Sequence, residues 1–231
     1  MEDSDLKLLK KVHLFKSLTT EQLRDIRRKI IIKRVKKDEV ILYEEDTNKF
    51  MYEILDGRIK VVQYTEDGKE IIIAIHNSGD SFGEISLIDG KTTTAAVLAL
   101  EDSTVAIISK EVFYPLLYSN KKVLDNLLKM LCSRIRENID NIKILNFNNA
   151  SQRVKMSLIK LLQEHGEETP KGILLDIRLT HQDVANMAGL TRETVTRVID
   201  LWQKNGDITV LKNRSILLSP GFLEEPSLML S

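Results

Sequence analysis

The 231-residue chain is short of several things, and each absence removes a class of function. It has one cysteine, Cys132. A lone thiol excludes an intramolecular disulfide and any multi-cysteine metal or iron–sulfur site. A reducing cytoplasm is the expected location. The first residues, Met1-Glu2-Asp3-Ser4-Asp5, are acidic and contain no apolar signal core. No stretch approaches the ~18 uninterrupted apolar residues of a membrane span, so no membrane partner is expected. Net charge is also missing: 34 Lys+Arg balance 34 Asp+Glu. From Ala150 onward ten basic residues face ten acidic ones. Any nucleic-acid contact must therefore come from a local patch. His13, His76, His165 and His181 are scattered without metal-ligand spacing. There is no nucleophile–base arrangement and no phosphate-binding glycine loop. The expectation is no metal, no cofactor and no enzyme activity.

What remains is a chain that is 42% apolar, enough for a real core, and changes periodicity twice. A helical lead-in spans roughly residues 5–30. Residues 31–110 then read as short strands: 40–43, 51–55, 58–64, 70–76 and 95–100. They are rich in β-branched and aromatic residues and separated by turn signals at Asp56-Gly57, Asp67-Gly68, Ser78-Gly79-Asp80 and Asp89-Gly90. Asp67-Gly68 between two apolar runs is a strong hairpin signal. Many short strands at regular spacing suggest a sandwich or barrel of the jelly-roll kind.

After Ser109 the period becomes helical. Val123 to Phe147 contains neither Gly nor Pro. Leu124, Leu128, Leu131, Ile135, Asn138, Ile142 and Leu145 step alternately by four and three, which is a heptad seam over about three repeats. Such a seam suits a parallel coiled coil between two copies; a helix packed on its own domain is the alternative. Asn138 on the seam suits a register-setting polar residue or a ligand contact. Cys132, beside the seam, is expected to be a buried small hydrophobe.

From about Ala150 a third pattern begins. Residues 154–165 are helical, 166–172 a polar loop and 172–179 a strand. Two helices and a hairpin around Lys212-Asn213-Arg214 follow. Thr180 can cap a helix whose third residue is Asp183, and Thr191 can cap the next. Gly189 falls where the first helix must end in a left-handed turn. Small Ala185 lets the helices approach, and Val184, Met187, Leu190, Val195, Val198 and Ile199 supply the contacts between them. That leaves Arg192, Glu193, Thr196 and Arg197 for the outer face of the second helix. Arginine pairs bidentately with guanine and Glu accepts from cytosine N4. A Glu near phosphates is repelled, so it makes sense only where one base donates to it, which points to sequence-specific readout. Thr180, Thr191, Lys204, Lys212 and Arg214 are candidate backbone contacts.

Three segments together resemble the cyclic AMP receptor protein and fumarate–nitrate regulator family. They are Gly79-Asp80-Ser81-Phe82-Gly83-Glu84-Ile85-Ser86-Leu87, the helix ending at Phe147, and Thr191-Arg192-Glu193-Thr194-Val195-Thr196-Arg197. The resemblance implies an α+β fold: an N-terminal β-jelly-roll, cyclic-nucleotide-binding-like sensor (1–110), a long dimerisation helix (111–148) and a C-terminal winged helix-turn-helix (149–231). It implies a homodimer reading a TGTGA-like palindrome, Arg192 and Arg197 on guanines and Glu193 on cytosine, with RNA polymerase as a further partner. It also places an effector pocket at Gly83, Glu84, Lys91, Thr93, Thr94 and Asn138. In nucleotide-binding members an Arg-Ser or Arg-Thr pair holds the cyclic phosphate; here Thr93-Thr94 stands at that place. The family's adenine contacts fall at Asn138-Ile139. The expected function is a DNA-binding regulator, an activator not gated by cyclic AMP, whose small effector, if any, is unknown. The alternatives are a cyclic-nucleotide-dependent regulator using Lys91 for the missing arginine, and a sensor module serving another protein.

Overall fold

A computed structural model describes residues 2–177, 179–211 and 215–223. Within it the chain forms two compact units, Met1–Arg134 and Ile135–Ser231.

In the first unit, α1 (Glu2–Leu9) and α2 (Thr20–Arg27) precede eight strands. These are β1 (Ile31–Val35), β2 (Val40–Leu42), β3 (Phe50–Asp56), β4 (Arg58–Tyr64), β5 (Glu70–Asn77), β6 (Ser81–Phe82), β7 (Ala96–Ala99) and β8 (Ser103–Ser109). Between β6 and β7 lies α3 (Glu84–Asp89); α4 (Lys110–Ser119) and α5 (Lys121–Leu145) follow β8. The strands make two antiparallel sheets, β1-β8-β3-β6 and β2-β7-β4-β5. That alternation between two sheets is the jelly roll expected from the sequence. The Asp67-Gly68 turn closes the β4–β5 hairpin, with Thr65 N–H donating to the Lys69 carbonyl at 2.9 Å.

Strands β1 and β8 were not singled out by alternation because β8 is buried along much of its length and β1 is mostly exposed. β3 shows why one sheet organises two cores. Tyr52 and Ile54 point between the sheets, where they meet Val35, Leu42, Ile59, Phe82, Val97 and Val105. Met51 and Leu55 point the other way, against Leu9, Phe15, Leu23, Phe113 and Leu127 of the helical layer. The alternation of side chains along a strand puts Glu53 on that helix-covered face too. Truncating a buried side chain such as Phe113 to alanine costs about 3–5 kcal/mol.

The second unit carries α6 (Ala150–His165), β9 (Gly166–Thr169), β10 (Gly172–Leu175), α7 (His181–Ala188), α8 (Arg192–Asn205), β11 (Ile208–Val210) and β12 (Ile216–Leu218). The stretch 166–172 expected to be a loop is mainly strand. β9 is a polar edge whose burial does not alternate, held by backbone pairing to β10. The following strand is shorter than expected, ending at Leu175. The sheet order is β11-β12-β10-β9. Leu211 N–H donates to the Ser215 carbonyl at 2.9 Å, so β11 and β12 form the expected hairpin. Lys212, Asn213 and Arg214 at its tip lie outside the described residues. Trp202 packs edge-on to Phe222, ring centroids 5.0 Å apart, and fastens the end of α8.

Candidate nucleic-acid interface and sensor site

Each helix of the pair α7–α8 begins on a threonine cap. Thr180 accepts from Asp183 N–H, and the Asp183 carboxylate accepts from Thr180 N–H at 2.8 Å, closing the box. Thr191 accepts from Thr194 N–H. Between them Gly189 is left-handed, with φ 63°. Ala185 and Val195 are fully buried and Val184 nearly so, while Met187, Leu190 and Val198 are half-buried. The two helices are therefore held by short-range chemistry already visible in the sequence, plus one apolar seam.

That packing leaves Arg192, Glu193 and Arg197 exposed at the start of α8. Arg192 and Arg197 lie five residues apart, about 140° around the helix. Thr180 and Thr191 are exposed at the two helix starts, and Lys204 is exposed in the last turn of α8. Lys212 and Arg214 lie outside the described residues. Thr196 differs from its neighbours. Its hydroxyl donates to the Arg192 carbonyl at 2.9 Å and lies 2.9 Å from His181 Nδ1. The Thr196 side chain is thus half-buried and engaged within the protein.

In the first unit, Gly83 caps α3 in the left-handed region at φ 84°. A Cβ there would meet Tyr52, Asn48 and the Phe50 carbonyl at 2.9–3.0 Å, so both its torsion and its surroundings require glycine. Asn48 donates to the Gly83 carbonyl at 2.8 Å, and Thr47 bridges Thr92. These contacts bring the Gly83-Glu84 and Thr93-Thr94 segments alongside residues 47–48. Glu84 is buried and paired with Arg134 of α5, which also donates to the Ser81 carbonyl. Glu53, fully buried, accepts from the Ser81 hydroxyl through one carboxyl oxygen; the other has no hydrogen bond among the described residues. Burial pushes the Glu53 carboxyl well above its usual range. The Ser81 hydrogen bond and the Arg134 charge oppose that, while Glu84 and Asp80 add to it.

Thr93 is buried, and its hydroxyl donates to the Tyr43 carbonyl. Thr94 is exposed, and its carbonyl accepts from Gln63. Lys91, the expected stand-in for the missing arginine, does not line up beside Thr93. Instead the backbone bends here: Lys91 is exposed, with its N–H held by Asp89, while Thr93 turns inward. Asn138 is exposed on the part of α5 that belongs to the second unit.

Two family descriptions match the chain: a cyclic nucleotide-binding domain over residues 32–120 and a Crp-like helix-turn-helix domain over residues 152–225. The cyclic AMP receptor protein of Thermus thermophilus is 30% identical, the match covering 80% of this chain and 78% of that protein. The chain belongs to the cyclic AMP receptor protein and fumarate–nitrate regulator family. The anaerobic regulatory protein of Bacillus subtilis is 27% identical over 87% of this chain and 85% of its own. A CooA variant from Carboxydothermus hydrogenoformans shares the fold, with a TM-score of 0.73 and 24% identity, covering 84% of this chain and 85% of that one. Like its relatives, this family member is a DNA-binding transcription regulator and not an enzyme.

The heptad face of this regulator stands open in the single chain. Leu124, Leu128, Ile135, Ile142 and Leu145 are exposed, as is Asn138, while Leu131 is half-buried against the helical core. Cys132 is exposed rather than buried, because it lies on the outer side of α5, away from Val123 and Leu127. Among the described residues no helix is long and apolar enough to cross a membrane.

Sequence reasoning did not single out Arg134, Glu53 or His181 as site residues. A charge inside the apolar run Met51–Leu55 was the visible signal for Glu53. Arg134 stands one helical turn before Asn138, but its partner Glu84 is 50 positions away in sequence. His181 follows directly on a helix cap.

Proposed function

We propose that this family member acts as a homodimer that reads a TGTGA-like palindrome. Arg192 and Arg197 engage guanine O6 and N7, and Glu193 accepts from cytosine N4. The observation that carries this reading is the exposure of all three side chains at the start of a second helix capped by Thr191. Thr180, Thr191 and Lys204 hold the DNA backbone, joined by Lys212 and Arg214 of the wing. Two half-sites one helical turn apart, ~34–36 Å, match a two-fold dimer. The seam from Leu124 to Leu145 supplies the dimer contact. The protein works in the cytoplasm as an activator that engages RNA polymerase.

Its input is not cyclic AMP. A phosphate enclosed without a cationic partner costs several kcal/mol. No arginine lies between Lys91 and Ala95, Lys91 is exposed on a bend, and the Thr93 hydroxyl is committed to the Tyr43 carbonyl. Arg134 is already matched by Glu84.

Fluorescence anisotropy on the palindrome and on a scrambled duplex, with and without cyclic AMP, tests both parts. The expected result is tighter binding to the palindrome that cyclic AMP leaves unchanged. Equal affinity for the scrambled duplex at moderate salt refutes the base readout. Strong enhancement by cyclic AMP refutes the input assignment.

A further inference from the structure

Two carboxyl groups are buried around one guanidinium in the sensor unit. Glu53 of β3 and Ser81 of β6 are directly paired on antiparallel strands, so their side chains leave the sheet on one face. The Ser81 hydroxyl donates to Glu53 Oε2, and Oε1 has no hydrogen bond among the described residues. Arg134 of α5 donates through Nη1 to Glu84 and through Nη2 to the Ser81 carbonyl. One end of the guanidinium thus holds Glu84. The other holds the backbone of the residue whose side chain holds Glu53.

One positive charge cannot match two buried carboxylates. The geometry gives the guanidinium to Glu84, and a buried carboxyl left without a cation takes a proton instead of staying charged. A proton on Glu53 Oε1 leaves the Ser81 hydrogen bond in place. Without that proton, Glu53 competes with Glu84 for Arg134. Glu84 is the first residue of α3, and Arg134 directly precedes Ile135 of the open heptad face in α5. We propose that Glu53 is a proton switch on a latch between α3 and α5: neutral, it leaves Arg134 to Glu84; ionised, it draws Arg134 away and loosens α5 beside the seam. The regulator then holds DNA less tightly as pH rises. That last step rests on the homodimer reading above.

The charges that act on Glu53 are Arg134, Glu84 and Asp80. Asp80 accepts from the Asn77 N–H and lies 3.1 Å from His13 Nδ1. The other elements packed on β3 are β5, β8, α1 and α4. β8 has no ionisable side chain. β5 carries Glu70, paired with Lys60, and His76. Among its described side chains α1 carries Asp5, paired with Arg27, and exposed Lys7. α4 carries exposed Lys110 and Glu111, with Tyr114 and Tyr118.

Carbon-13 NMR of the glutamate carboxyl groups in the full-length wild type reads the proton directly. Glu53 should titrate above the ordinary carboxylate range, and the Arg134 Nε–H signal should move with the same midpoint. A Glu53 carboxyl still ionised at about pH 5, or still neutral at about pH 9, overturns the switch. Titration of Glu53 without movement of Arg134 overturns the latch. Anisotropy on the palindrome at constant ionic strength should show affinity falling through that midpoint, by up to ~10-fold per pH unit per subunit. Glu53→Gln should keep the low-pH affinity of the wild type throughout. The same slope in Glu53→Gln belongs to His13, His76 or another group and overturns the link to DNA. A wild type that prefers the palindrome but shows no pH slope overturns this inference alone. A chain that sediments as a monomer at every pH, or shows no preference for the palindrome, overturns the homodimer reading instead.

Discussion

Replacing Ile135 by alanine tests the dimer seam, because the single chain itself gains little from this side chain. Ile135 is 60% exposed. Full burial of an Ile contributes about 1.5–3 kcal/mol, so covering the exposed part contributes about 1–2 kcal/mol per copy. Alanine keeps part of that contact, which leaves a loss of about 1 kcal/mol per copy. In a two-fold interface the residue appears twice, so the dimer loses about 2 kcal/mol. At 1.4 kcal/mol per decade this weakens dimerisation by ~30-fold. Ile135→Glu should act more strongly by placing two carboxylates near the seam. Sedimentation across a concentration series reads the dissociation constant, and circular dichroism checks that the helix content is intact. An unchanged dissociation constant for both variants would falsify the seam, and the coiled-coil reading of residues 124–145 with it.

Arg192→Ala should weaken binding to the specific duplex by about 1–3 kcal/mol and relax selection at one base pair, read by competition among single-base variants of the site; a uniform loss on all duplexes would make it a phosphate contact instead. Glu53→Gln should stabilise the sensor unit at high pH. Because the folded state raises the Glu53 pKa, its favourable contribution is intact at low pH and lost as pH rises through the folded value. Glutamine stays neutral throughout, so its gain in melting temperature should grow between about pH 5 and about pH 8; an equal gain at both ends counts against a buried neutral carboxyl. Gly189→Ala places a Cβ in the left-handed region and 3.1 Å from a Leu145 methyl. The torsion costs about 1–2 kcal/mol, partly offset by about 0.4–1 kcal/mol from a stiffer unfolded chain. The net loss of roughly 1 kcal/mol should appear in denaturant titration, and no loss would mean that the turn adopts another conformation.

The helix-turn-helix was legible because its signals are local. Thr180 with Asp183, Gly189, and Thr191 with Thr194 act over three residues or fewer, and apolar spacing predicted the seams between them. The Asp67-Gly68 hairpin and the heptad face of α5 were readable for the same reason. The open heptad face is also what the structure of one chain leaves uncovered. The β9 edge escaped because its polar residues do not alternate, and its pairing is made by backbone alone.

By itself, then, the sequence determined the jelly-roll class, the long helix and the exposure of Arg192, Glu193 and Arg197 at the start of α8. Periodicity and capping are properties of neighbouring residues, and these features need nothing more. Tertiary structure decided the rest. It turned the Thr93 hydroxyl to Tyr43 and set Lys91 apart from Thr93. It joined Arg134 to Glu84, buried Glu53 on the helix-covered face, and linked His181 to Thr196 across the two helices. Each of these contacts pairs residues 15 or more positions apart, except the local bend at Lys91. A side chain's donor or acceptor is assigned only when the folded chain brings it a partner, and no sequence period records which partner that is.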